Sequence, residues 1–150
     1  MASTLTCLLY HVIYSVKDRQ PMIQGDFQRR LHEYLGGVIR RIDGKALSVG
    51  GTADHVHLLI MLKADMPLSK AVNALKANSS KWVNRTFPNR RHFVWQRGYG
   101  AYSVSFSNKD AVARYIERQA EHHRKRSFQE ECRMFLEKHA IAYDERYLWG

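Results

Sequence analysis

Apolar residues recur along this chain with two periods, and the changes of period mark its elements. Residues 5–16 alternate loosely between apolar and polar and read as a first strand. Phe27, Leu31, Tyr34, Leu35, Val38, Ile39 and Ile42 then recur at helical spacing, and Gly44 follows as a stop. Residues 46–49 read as a short strand that Gly50-Gly51 turns back, so residues 55–62 are its expected antiparallel partner. Pro67 opens a second helix with Leu68, Ala71, Val72, Leu75, Trp82 and Val83 on its apolar side. Residues 93–96 and 101–106 are strand-like, separated by a segment expected to be flexible, Arg97-Gly98-Tyr99-Gly100. Ser107-Asn108-Lys109-Asp110 resembles a capping box opening a third helix through residue 123. Ser127 with Glu130 repeats that signature for a short fourth helix.

The predicted order is βαββαββα with hairpin-length connections, which implies helices packed on a small antiparallel sheet in one α+β domain over residues 1–150. No repeat, linker or low-complexity tract interrupts it. An apolar fraction of 45% suits a globular core. No run approaches the roughly 18–20 apolar residues of a membrane span. The apolar N-terminal stretch has neither a preceding basic residue nor a small-residue cleavage site, so no export signal is expected. Cys7 and Cys132 form no metal-type spacing, which suits a reducing cytoplasm.

Charge sharpens the picture. Residues 66–109 carry Lys70, Lys76, Lys81, Arg85, Arg90, Arg91, Arg97 and Lys109 and no acid, so most of the net charge of +10 sits in the central third. Trp82, Phe87, Phe93, Trp95, Tyr99 and Tyr102 are interleaved with it. Basic groups that neutralise phosphates, beside aromatics that stack on unpaired bases, suit single-stranded nucleic acid. The same segment also fits a solvated basic face whose aromatics belong to the core.

The chemistry-bearing feature is His55-Val56-His57, at the start of an apolar strand. Residues i and i+2 of a strand share a face, so both imidazoles project together, as metal ligands must. By itself the pair also fits hydrogen-bonded sheet histidines. Tyr115 and Gln119 are four apart on the third helix and share its face. By periodicity alone Tyr115 also fits a boundary aromatic beside Val112 and Ile116. His122 and His123 are adjacent and diverge on a helix, a poor metal pair.

Taken in order, His55-Val56-His57, then Trp95-Gln96-Arg97-Gly98-Tyr99-Gly100-Ala101-Tyr102-Ser103-Val104-Ser105, then Tyr115-Ile116-Glu117-Arg118-Gln119 resembles the single-tyrosine transposases of the HUH superfamily, the insertion-sequence-200-like family. The resemblance covers essentially the whole chain and departs at Ser15-Val16-Lys17-Asp18-Arg19, where many relatives carry a Lys-Tyr-Arg element. It implies a ferredoxin-like sheet similar to RNA-recognition and rolling-circle replication initiator folds. It implies that Tyr115 attacks a DNA phosphate to form a 5′-phosphotyrosyl link. His55, His57 and Gln119 would hold Mg²⁺, with Mn²⁺ as substitute. Lys70, Lys76, Lys81, Arg85, Arg90, Arg91 and Arg97 would grip DNA. The expected activity is cleavage and rejoining of single-stranded DNA at element ends, recognised through subterminal hairpins. No nucleotide cofactor is implied, since the tyrosyl ester conserves the phosphodiester energy. Relatives imply a homodimer whose sites are completed in trans. The alternatives are a domesticated relative acting on dispersed palindromic repeats, or a non-catalytic nucleic-acid-binding module on the same fold.

Overall fold

The computed structural model describes residues 3–90 and 92–149. Its centre is a strand buried on both sides. β3 (His55–Leu62) lies between β1 (Leu8–Ser15) and β2 (Lys45–Gly51), and β4 (Gly100–Val104) completes an antiparallel sheet of order β2-β3-β1-β4. That is the ferredoxin-like arrangement the sequence implied.

Alternation divides the side chains between two faces. Val12, Tyr14 and Val16 join Val56, Leu58, Ile60 and Leu62 on one face. Two helices cover it: α1 (Asp26–Arg41), through Phe27, Leu31, Leu35, Val38 and Ile39, and α2 (Leu68–Thr86), through Ala71, Val72, Leu75 and Val83. Pro67 caps the start of α2, and Pro88 follows its end, where its ring prevents continuation. The other face carries His11, Ile13, His55 and His57. It is roofed by α3 (Lys109–Glu117), α4 (Gln119–Lys125) and α5 (Phe128–Lys138), with a last short turn, α6 (Glu145–Leu148). A second, smaller apolar cluster forms there from Ile13, Tyr102, Phe128 and Phe135.

Several expectations need correction. Residues 93–96 do not form a strand: Trp95 makes one isolated bridge to Val16. Its indole is buried instead, donating Nε1–H to Ser79 Oγ at 2.8 Å. The following segment is not loose, because Lys76 Nζ donates to the carbonyls of Gln96, Arg97 and Gly98 at 2.9, 3.1 and 2.6 Å.

Gly50 and Gly51 are not the turn; both belong to β2, and the chain reverses at residues 52–54. A Cβ on Gly50 would stand 2.5 Å from the carbonyl oxygen of Ile116, so the missing side chain is what lets α3 lie against the sheet. The third helix is not continuous. Arg118 (φ −102°, ψ 23°) separates α3 from α4. α3 also starts without a side-chain cap, through the 3₁₀ turn Phe106–Asn108. The fourth helix keeps its capping box, with Ser127 Oγ accepting from Glu130 N at 3.1 Å. Cys7 and Cys132 are free thiols. No helix among the described residues is long and apolar enough to cross a membrane.

Candidate active site

Because β3 is central, both imidazoles of His55 and His57 are fully buried, beneath the roof of α3 to α5. Each ring is oriented by a partner behind it. His55 Nδ1–H donates to Asp54 Oδ1 at 2.7 Å, and Thr52 Oγ1 lies 3.0 Å away. His57 Nδ1 meets His11 Nε2 at 2.8 Å, across the β1–β3 pairing. The Nε2 atoms of both rings therefore point at the roof.

Two side chains from the roof meet them. Gln119 begins α4 and is buried, its Oε1 lying 3.1 Å from His55 Nε2 and 3.1 Å from His123 Nε2. Glu131, from α5, is also buried. Its Oε1 lies 2.9 Å from His57 Nε2, 3.3 Å from His123 Nε2 and 3.7 Å from His55 Nε2. Its Oε2 accepts from the phenol of Tyr115 and, at 3.3 Å, from Gln119 Nε2. The helix break at Arg118 makes this convergence possible by redirecting the roof after Tyr115. His122 and His123 diverge as expected: His122 stacks on Tyr115 with centroids 4.3 Å apart, while His123 turns inward.

Titration follows from burial and charge. Burial, with His57 adjacent, lowers the His11 imidazole to about 3. Burial lowers His57 to about 4 against the pull of Glu131, so both rings are neutral at pH 7. Burial alone would raise Glu131, yet hydrogen bonds from His123, His57 and Tyr115 outweigh it and hold the carboxyl far below the usual range. Tyr115 is pushed well above an ordinary phenol by burial and by the adjacent Glu131 carboxylate. At neutral pH the site thus offers the neutral imidazole of His57, a carboxylate and a protonated phenol.

That donor set suits a divalent cation. His55, His57, His123 and Glu131 each present a ligand atom, all within 4.8 Å of one another. Bonds of about 2.0–2.2 Å set neighbouring ligand atoms about 2.8–3.6 Å apart, and Glu131 Oε1 has two imidazole nitrogens inside that range, at 2.9 and 3.3 Å, with His55 Nε2 just outside it at 3.7 Å. His55 Nε2 and the Gln119 amide oxygen face each other at 3.1 Å, and both atom types can coordinate a cation.

All four expected catalytic and metal residues, Tyr115, His55, His57 and Gln119, meet within one chain. Glu131, His123, His11 and Asp54 were missed. Asp54 immediately precedes the His55-Val56-His57 run and His11 lies inside the first predicted strand, whereas Glu131 sits in an ordinary amphipathic helix with no local signal.

The expected DNA contacts are scattered. Lys70, Lys81 and Arg85 are exposed on α2, in the layer on the other side of the sheet from the histidines. Lys76 is half-buried under the 96–98 carbonyls, and burial lowers its ammonium to about 8. Arg90 lies over Phe27 and donates to Met22 O at 3.4 Å. Arg97 is exposed, and Arg91 lies outside the described residues. Among the interleaved aromatics, Phe93, Trp95 and Tyr102 are core, so stacking cannot be assigned to them. Tyr99 is exposed beside a cavity of about 410 Å³ that reaches Phe128 and Trp149.

Comparison with known proteins fits this geometry. Residues 4–119 match the family model described as "Transposase IS200 like". The ISDra2 transposase TnpA of Deinococcus radiodurans is 26% identical over 117 residues, covering 75% of this chain and 84% of that protein. The transposase for insertion sequence element IS200 of Salmonella typhimurium is also 26% identical over 117 residues, covering 75% and 76%. The crystal structure of a candidate transposase from Deinococcus radiodurans R1 shares the fold, with TM-score 0.65, 23% identity and coverage of 79% of this chain and 95% of that one. A REP-associated tyrosine transposase bound to a REP hairpin does so with TM-score 0.60, 12% identity and coverage of 82% and 74%. The match spans most of the chain, and the chain belongs to the IS200-like transposase family.

Proposed function

We propose that this transposase cuts and rejoins single-stranded DNA with Tyr115 as nucleophile, at a site assembled on His55 and His57. The observation that carries the reading is the convergence of Tyr115, Gln119 and both histidines from distant parts of the chain. A structural aromatic would have no reason to bring its hydroxyl to a buried carboxylate among three imidazoles.

Tyr115 Oη attacks the phosphorus and forms a phosphotyrosyl ester on the 5′ side. The bond from phosphorus to the 3′ oxygen breaks; the phenol gives up its proton and the departing oxygen takes one up. Rejoining is the reverse attack by a 3′-hydroxyl, with no net change in phosphoester bonds. Glu131 holds the phenol at a fixed angle to the histidines, and Phe135 and His122 limit its rotation. A divalent cation, Mg²⁺ or Mn²⁺, held by His55, His57 and Gln119 would offset charge on the scissile phosphate. Two imidazoles in that set make Mn²⁺ the better fit of the two.

The strand is read as entering past Arg97 and Tyr99, with Lys70, Lys81 and Arg85 gripping a hairpin from the other layer. A REP-associated relative bound to a hairpin supports that substrate. The protein acts in the cytoplasm on this reading. Each chain is read as a self-sufficient site, because α3 already reaches the histidines of its own sheet, with or without homodimerisation.

The test is a denaturing gel with a labelled single-stranded hairpin substrate. Wild type should form a covalent adduct that chelator abolishes and Mn²⁺ restores. Tyr115→Phe should bind the hairpin but form none. Adduct formation by Tyr115→Phe, or full cleavage in excess chelator, would overturn the reading.

A further inference from the structure

The family match ends at residue 119, yet the site does not. We infer that the segment beyond it supplies two ligands, Glu131 of α5 and His123 of α4, which take the place of Gln119, so that the metal is held by three imidazoles and a carboxylate. The inference rests on the metal-dependent reading above and changes which part of the chain builds the centre.

Four observations carry it. Glu131 is 1% exposed, and a buried carboxylate must be paired or coordinate a metal. Its Oε1 stands where the Nε2 atoms of His57, His123 and His55 converge, at 2.9, 3.3 and 3.7 Å. The side chain of His123 is only 14% exposed, and its Nε2 faces Gln119 Oε1 and Glu131 Oε1 rather than solvent. The position of α5 is set by more than Glu131 itself: the Ser127 capping box, and Phe128 and Phe135 packed with Ile13 and Tyr102 beside the rings of His55, His11 and Tyr115. Glu131 is thus delivered by a preorganised helix, as a ligand should be.

The two carboxylate oxygens then have separate duties. Oε1 faces the imidazole nitrogens, and Oε2 takes the hydrogen bond of Tyr115. One rigid group therefore fixes the nucleophile relative to the metal. Gln119 becomes a neighbour shared among ligands, its amide oxygen toward His55 and His123 and its amide nitrogen toward Glu131. A set of three imidazoles and one carboxylate also favours Mn²⁺ or Co²⁺ over Mg²⁺, which prefers oxygen.

The experiment titrates the full chain with Co²⁺, followed by visible absorption and calorimetry, and repeats the calorimetry with Mn²⁺. Wild type is compared with His57→Ala, Glu131→Gln and His123→Asn, each first shown to melt cooperatively in chelator. Glu131→Gln and His123→Asn should each weaken Co²⁺ binding roughly tenfold or more and alter the ligand-field bands. If Glu131→Gln does not fold, His123→Asn, at a half-buried position, decides alone. Either folded variant titrating like wild type removes that residue from the ligand set and overturns the inference. His57→Ala then distinguishes the levels, because loss of Co²⁺ there alone leaves the metal reading standing. A folded wild type that takes up neither metal overturns both.

Discussion

Asp54 and His11 do for His55 and His57 what the two rings cannot do for themselves: they fix which ring nitrogen faces the roof. Asp54 holds His55 from behind at 2.7 Å, so Asp54→Asn should weaken metal binding about 10–100-fold with the fold intact. Unchanged Co²⁺ affinity in that variant would show that His55 needs no such partner. The buried rings also tie stability to pH. His11 and His57 titrate near 3 and 4 in the folded state and near 6.5 when unfolded. Their contribution is full above pH 6.5 and is lost as pH falls from there toward 4 and then 3, because only the unfolded chain takes up the protons. Each ring adds a slope of about 1.4 kcal/mol per pH unit across its window. Urea denaturation of the metal-free protein between pH 7 and 4 should show falling stability, flattened in a folded His11→Phe variant. Constant stability across that range would contradict the burial argument.

At the scale of elements, the site depends on how closely α3 approaches β2. Gly50→Ala would drive a methyl into the Ile116 carbonyl, costing about 1–3 kcal/mol and shifting Tyr115 from His57. Adduct formation should fall at least tenfold while hairpin binding persists. Wild-type adduct yield in Gly50→Ala would mean that α3 has more freedom than this packing allows. Gly50 also marks where sequence reasoning ran short. Its pairing with Gly51 reads locally as a turn, but the reason for it is a backbone 66 residues away in the chain, from Gly50 to Ile116. The strands β1 and β3 and the helices α1, α2 and α5 were legible because one apolar stripe or capping box determines each. Trp95 was misread because an aromatic in a short apolar run fits a strand as well as a buried anchor. The break at Arg118 left no mark, since Gln119-Ala120-Glu121 is acceptable helix. His55, His57, Tyr115 and Gln119 were legible through motif order. Glu131 was not, because its role comes from tertiary placement of an otherwise unremarked helix.

For the whole molecule, the unbalanced charge sets how DNA is held. If Lys70, Lys81, Arg85 and Arg97 each neutralise one phosphate, single-strand affinity should fall with salt at a log–log slope of roughly 3. A slope near zero would assign the basic segment a purely solvating role. The same scale decides whether chains share a site. Mixing His57→Ala with Tyr115→Phe under subunit exchange should recover no cleavage if each chain is self-sufficient. Recovered cleavage in proven heterodimers would show that the tyrosine helix crosses between subunits.

One hydroxyl, that of Tyr115, is expected to become bonded to DNA. The most direct measurement is peptide mapping by mass spectrometry of the protein–DNA adduct formed on a single-stranded hairpin substrate with Mn²⁺. The expected result is one modified peptide carrying a nucleotide phosphate on Tyr115. A nucleotide on Tyr99 or Tyr102, or no covalent species alongside cleaved DNA, would contradict it.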